Sequence, residues 1–204
     1  MLWTALLPLA ALASAKSRLR AASPDEAAHR RLVTAIRDDT AAALRTSRAV
    51  AHVVAVSPDP DCLDWAARHG FVALAEVESG LNAALELAAA DATRRWPGDG
   101  LVAVVGDLPA ANGPALDDVL ARVGPAQRGF VADHNRVGTT LLAAGACVPL
   151  EPRFGVDSAR RHRESGAAPL EADAGLRWDV DTPEDLAAAL ATVKVGEHTR
   201  GVLG

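Results

Sequence analysis

Apolar runs of a few residues alternate along the chain with longer amphipathic stretches. Residues 3–7 form the first run, closed by Pro8 and followed by a small-residue segment ending at Lys16-Ser17-Arg18. Residues 50–56 form a second run, rich in β-branched side chains, as expected of a strand covered on both faces. Residues 71–75, 101–105 and 130–132 continue the series. Helical patterns lie between. Ser23-Pro24-Asp25-Glu26 reads as a helix start, with Ser23 capping, Pro24 in the first turn and Glu26 closing a capping box. The helix runs to about residue 46, with Leu32, Ile36 and Leu44 inward and Arg30, Arg37 and Asp38 outward. Ser57-Pro58-Asp59-Pro60 breaks the second strand, and a helix over 61–69 stops at Gly70. Further helices are predicted over 81–95, ended by Pro97-Gly98, and over 114–123, ended by Gly124. Residues 139–144 fit helix and strand equally, and 149–175 read as loop. Residues 178–181 read as extended, Thr182-Pro183-Glu184-Asp185 caps a last helix to about residue 192, and the tail from Val195 reads as a loose arm.

Strands alternating with helices predict an α/β fold with a mostly parallel sheet flanked by helices. No repeat and no linker divides the chain, so residues 1–204 are expected to form a single domain. In such sheets ligands bind beyond the carboxyl ends of the strands. That rule directs attention to residues 8–18, the Ser57 turn, Gly106 to Pro109 and Asp133 to Gly138.

Composition narrows the function. The 204 residues are 50% hydrophobic and 23% charged, with a net charge of −5, which disfavours a phosphate-backbone binder. Aromatics make up 3% with no Tyr, so a base-stacking RNA platform has little to build from; no nucleic-acid partner is expected. Two cysteines, Cys62 and Cys147, make neither a disulfide framework nor a zinc cluster. Residues 1–15 resemble a signal peptide, with Ala13-Ser14-Ala15 as a cleavage site. Against that, no Lys or Arg precedes the apolar run, and Pro8 sits inside it. A buried first strand is the expectation, in a cytoplasmic protein with no membrane span.

Several residues could carry chemistry. Asp107 follows a fully apolar strand, where a carboxylate can hold a divalent cation against nucleotide phosphates or serve only as a turn residue. Asp179 and Asp181 flank Val180 in an extended stretch and should share a face, where a cation would relieve their repulsion. Asp181 could instead help cap the last helix. Lys16 follows small residues whose backbone can approach phosphate, although a solvated basic turn has the same pattern and no Walker loop is present. Asn82, after Gly80-Leu81, could read a base or ribose or merely cap a helix. Gly138-Thr139-Thr140 and Phe154-Gly155-x-x-Ser158 offer hydroxyls and small residues to a phosphate or carboxylate. His29, His52, His69 and His198 show no metal spacing, and His134 and His162 have no evident triad partner. No nucleophile elbow and no dinucleotide-binding glycine motif is present.

Taken in order, Ala15-Lys16-Ser17-Arg18-Leu19, Gly80-Leu81-Asn82, Asp107-Leu108-Pro109, Gly138-Thr139-Thr140, Phe154-Gly155-x-x-Ser158, Arg161-His162 and Asp179 through Leu186 resemble the CofC/FbiD guanylyltransferases of coenzyme F420 biosynthesis. The resemblance spans nearly the whole chain. It implies a fold similar to MobA-like nucleotidyltransferases and transfer of GMP from GTP to phosphoenolpyruvate, or in relatives to 2-phospho-L-lactate or 3-phospho-D-glycerate. It implies that Thr140, Gly155 and Ser158 hold the phospho-acid, and that Lys16 touches phosphates. It further implies that Gly80 and Asn82 lie on the guanosine side, and that Asp107, Asp179 and Asp181 hold Mg2+. The unstable product would pass to a downstream transferase. In two places the chain departs from the resemblance. Ala10 stands after Leu7-Pro8-Leu9 where the family has a Lys, which would remove one phosphate contact. Arg136-Val137 replaces small residues before Gly138-Thr139. Other nucleotidyltransferases of this fold, and a nucleotide-binding protein without turnover, are the competing expectations.

Overall fold

The first apolar run becomes β1 (Trp3–Pro8), with Trp3, Ala5 and Leu7 packed on one side of the sheet and Leu6 on the other. The protein is represented by a computed structural model, which describes residues 1–11, 15–76, 80–125, 127–146 and 148–204. Cys147 and the Ala13-Ser14 pair of the suspected cleavage site lie outside the described residues. After β1 come α1 (Glu26–Thr46), β2 (Val50–Ser57), α2 (Pro60–Arg68), β3 (Val72–Ala75), α3 (Leu81–Arg95), β4 (Gly100–Val104) and α4 (Gly113–Leu120). β5 (Arg128–Ala132), β6 (Thr139–Ala144), α5 (Ser158–Glu164), β7 (Ala168–Pro169), α6 (Pro183–Thr192) and α7 (Glu197–Leu203) complete the chain.

One sheet takes the order β3-β2-β1-β4-β6-β5-β7, and β6 alone runs against the others. The expectation of a mostly parallel α/β sheet is met. Residues 139–144 settle as strand because both faces of β6 are buried, which had erased any period from the pattern. Helices α1, α2 and α4 cover one face and α3 and α5 the other. A third cluster packs Leu19, Leu32 and Ile36 against Val180, Leu186 and Ala189, tying the 3-10 turn Ser17–Ala22 to α1 and α6. Among the described residues no helix is long and apolar enough to cross a membrane.

Four expectations need correction. Ser23 does not cap α1; it closes the 3-10 turn, and the Asp25 carboxylate caps instead, accepting from the Ala28 N–H at 2.7 Å. Arg37 does not face solvent but is 7% exposed. The stretch 149–175 is not all loop, because it contains α5, whose polar sequence SARRHRE hides its helical period. The tail is not a loose arm either. It forms α7 against α1, with the Asp39 carboxylate accepting from the N–H groups of His198 (3.1 Å) and Thr199 (2.9 Å).

Candidate active site

β1 hands the chain to β2 on one side, while β4 joins on the other, so the strand order reverses between β1 and β4. Beyond their carboxyl ends a cavity of about 620 Å3 opens, with Pro8 to Ala11, Arg37, Gly80, Gly106 and Asp107 on its walls. Lys16 reaches it from a left-handed backbone position (φ 54°) at the start of the 3-10 turn. Its ammonium donates to Asp107 Oδ2 and to Asp181 Oδ1, and Arg18 Nη2 donates to Asp181 Oδ2 at 3.1 Å. Burial alone would lower the Lys16 pKa, but the two carboxylates outweigh it and hold the ammonium above its usual value.

Asp179 arrives by a backbone route. The Val180 N–H donates to the Asp107 carbonyl at 3.1 Å, which locks the 179–181 segment onto the end of β4. Thr182 then caps α6 in a capping box with Asp185, so Asp181 is not the cap. Burial, followed by repulsion from Asp107 and Asp181, pushes the Asp179 carboxyl up to about 7. Asp107 Oδ1 is buried without a hydrogen-bond partner. Among the described residues no three acidic or imidazole groups already converge as a cation cage. Lys16 stands between Asp107 and Asp181 and takes one oxygen of each. The donor set is nonetheless hard carboxylate oxygen in excess of what one ammonium satisfies, which suits a hard divalent cation.

The other expected residues divide into two groups. Gly80 lines the cavity and starts α3 with φ +87°, a conformation that favours glycine. The Asn82 carboxamide is spent on the backbone of Phe154, donating to its carbonyl (3.2 Å) and accepting from its N–H (2.8 Å). It therefore does not cap α3; it clamps the start of α3 to the loop carrying Gly155. Gly155 (φ +111°) is exposed on that loop, and Ser158, at the first turn of α5, is buried. Neither lines the cavity. Thr140 is buried in β6, its hydroxyl donating to the Leu176 carbonyl at 2.6 Å. It anchors the turn from which residues 177–179 depart.

The geometry brings clustered carboxylates and a lysine to the switch point of a mostly parallel sheet. Residues 3–190 match the family described as guanylyl transferase CofC like. This chain belongs to that family. A phosphoenolpyruvate guanylyltransferase of Streptomyces avermitilis is 43% identical over 202 residues, covering 98% of this chain and 93% of its own. The protein of the same name from Streptosporangium roseum is 38% identical over 208 residues, covering 98% and 92%. Among solved structures, a nucleotidyl transferase from Methanothermobacter superposes with a TM-score of 0.62 at 13% identity, covering 92% of this chain and 95% of that one. A 4-diphosphocytidyl-2C-methyl-D-erythritol synthase gives 0.64 at 11% identity, covering 100% and 98%. These structural likenesses establish the nucleotidyltransferase fold.

In this CofC-like chain two residues that the sequence reasoning set aside or turned outward lie near the site. His134 stacks on Trp178 (ring centroids 4.4 Å apart, planes 8° apart), with Nδ1 3.9 Å from Asp179 Oδ1. The signal for it was only its place at the carboxyl end of β5. Arg37 enters the cavity from α1 and donates to the carbonyl of Ala10, the position where the family resemblance called for Lys. His162, by contrast, acts in the scaffold. Its Nε2 accepts from the Arg153 N–H at 2.9 Å, which leaves Nδ1 as donor to the Thr139 hydroxyl at 2.9 Å.

Proposed function

We propose that this chain transfers GMP from GTP to phosphoenolpyruvate, giving enolpyruvoyl-2-diphospho-5'-guanosine and pyrophosphate for coenzyme F420 biosynthesis. The observation that carries this reading is the Lys16 ammonium shared by Asp107 and Asp181 at the mouth of the switch-point cavity. A substrate phosphate oxygen attacks the α-phosphorus of GTP, a new P–O bond forms, and the bond to the β-phosphate breaks. The attacking oxygen is already anionic, so the reaction needs no protein base. It needs alignment and relief of negative charge.

The residues supply both. Lys16 is kept protonated by its two carboxylates and can turn towards phosphate oxygens when they arrive. Asp107, Asp179 and Asp181 would hold Mg2+: the unpartnered Asp107 Oδ1 and the repulsion on Asp179 fit a cation. When bound, the metal neutralises charge on the phosphates. Gly80 shapes the nucleotide side of the cavity. Gly155, on a loop that Asn82 and Arg161 brace through Phe154, and Ser158, at the start of α5, would receive the phospho-acid. Thr140 supports the Asp179 segment from beneath.

Pyrophosphate release tests the substrate choice. It is measured with GTP, Mg2+ and, in turn, phosphoenolpyruvate, 2-phospho-L-lactate and 3-phospho-D-glycerate. The downstream transferase and its deazaflavin acceptor are present to trap the product. Release with phosphoenolpyruvate is expected. Release with another acid alone would reassign the substrate. Silence with all three, from folded protein that binds GTP, would refute guanylyl transfer.

A further inference from the structure

Arg37 lies in the middle of α1, is 7% exposed and lines the cavity that also holds Lys16 and Asp107. Its guanidinium is fixed by two neutral acceptors. Nη2 donates to the Ala10 carbonyl at 2.7 Å, and Nη1 to Cys62 Sγ at 3.3 Å. A guanidinium carries five N–H donors, and sulfur is a weak acceptor. Among the described residues no carboxylate stands within ion-pair distance of Arg37, whereas Lys16 on the same cavity is shared by two. A buried charge without a counter-charge is costly unless something neutralises it. Among the described residues, then, Lys16 is paired with two carboxylates and Arg37 with none, although the Glu76 side of the wall also belongs to this cavity.

We propose that Arg37 binds the triphosphate of the nucleotide, which supplies the ion-pair partner that no described residue gives it. This rests on the nucleotidyltransferase reading above. Charge decides between the parts of the nucleotide. The edge of a neutral base would leave the guanidinium uncompensated, while phosphate oxygens offer both the missing charge and the fork-matching acceptors. The local backbone favours the same answer. Ala10, Ala11 and Ala15 on the cavity wall have small side chains, so phosphate can come close to the anchored guanidinium and to Lys16. Cys62 and the Ala10 carbonyl hold the fork in place beforehand, which reduces the ordering cost on binding.

The test measures binding of GTP and of inorganic tripolyphosphate to the full chain, as wild type, Arg37→Met and Arg37→Lys. Arg37→Met should weaken both ligands about tenfold to a hundredfold, as for lost charge-assisted hydrogen bonds. Arg37→Lys should recover part of that loss. Ligand-free Arg37→Met should keep an unfolding midpoint close to that of wild type, since no described carboxylate pairs with the native guanidinium; a purely structural arginine would lower it. The proposal is overturned if Arg37→Met binds GTP within about twofold of wild type, or if it loses GTP while still binding tripolyphosphate normally. If Arg37→Met does not fold, Arg37→Lys decides, and unchanged affinities for both ligands would overturn the proposal. These are binding readouts. A wild-type chain that binds both ligands but releases no pyrophosphate would defeat the transferase reading and still leave Arg37 tested.

Discussion

Lys16 keeps an ordinary side chain in a backbone region that β-carbon residues rarely enter, and its ammonium bridges Asp107 and Asp181 across 91 and 165 positions of sequence. Removing one partner leaves the others unbalanced. Asp107→Asn keeps the shape but removes a charge from both Lys16 and the proposed cation. Turnover should fall about a hundredfold or more, with the fold retained, as read by steady-state pyrophosphate release and circular dichroism. Lys16→Met should lower kcat by a similar factor, because two carboxylates then face incoming phosphates with no ammonium between them. Much of this cluster was legible. A carboxylate just after an apolar strand lies at the ligand end of a parallel sheet, and Asp107 after β4 follows that rule; Lys16 stood out at the end of the segment after β1, and Asp179 and Asp181 by sharing a face around Val180. Thr140 and Asn82 did not reveal their partners, since a hydroxyl or amide in the sequence does not say which carbonyl it will meet. Arg37 was misread for a related reason. Its spacing from Val33 and Thr40 fits the buried face of α1, but its charge argued for solvent, and only the fold shows a cavity there.

At the scale of elements, α5 and its loop are held by a neutral imidazole. Burial, then the charges of Arg161, Arg128 and Arg153, lower the His162 pKa to about 4. The unfolded imidazole titrates near 6.5. Between those values the unfolded chain binds a proton that the folded chain does not. Stability should therefore fall as pH drops from about 6.5 to about 4, by at most about 1.4 kcal/mol per pH unit. Urea midpoints at several pH values should show a shallower decline for His162→Gln than for wild type. The capping elements are open to a similar check. Thr182→Ala removes the side-chain oxygen that accepts from Asp185 N–H, and should cost about 1 kcal/mol in denaturant unfolding. The long helices α1 and α3 and the buried strands were readable from period and caps. α5 was hidden by its mostly polar sequence, and α7 by its dependence on Asp39, a carboxylate 159 residues away in the chain.

For the whole molecule, the sheet order decides where chemistry can occur. The reversal between β1 and β4 opens one cavity, and Val180 N–H on the Asp107 carbonyl draws the chain's late acidic segment to it. The reversed β6 was not predicted, but it places the 133–138 loop at the same end, with His134 N–H donating to the Arg177 carbonyl at 2.7 Å. Family membership and this geometry lead to one central claim, that attack occurs at the α-phosphorus of GTP. Parallel reactions with α-labelled and γ-labelled GTP, phosphoenolpyruvate, Mg2+ and the trapping transferase test it directly. The account predicts that the α-label ends in GMP, left when the trapping transferase takes the phospho-acid from the guanylylated product, and the γ-label in pyrophosphate. A γ-label released as inorganic phosphate, with the α-label left in GDP, would contradict it.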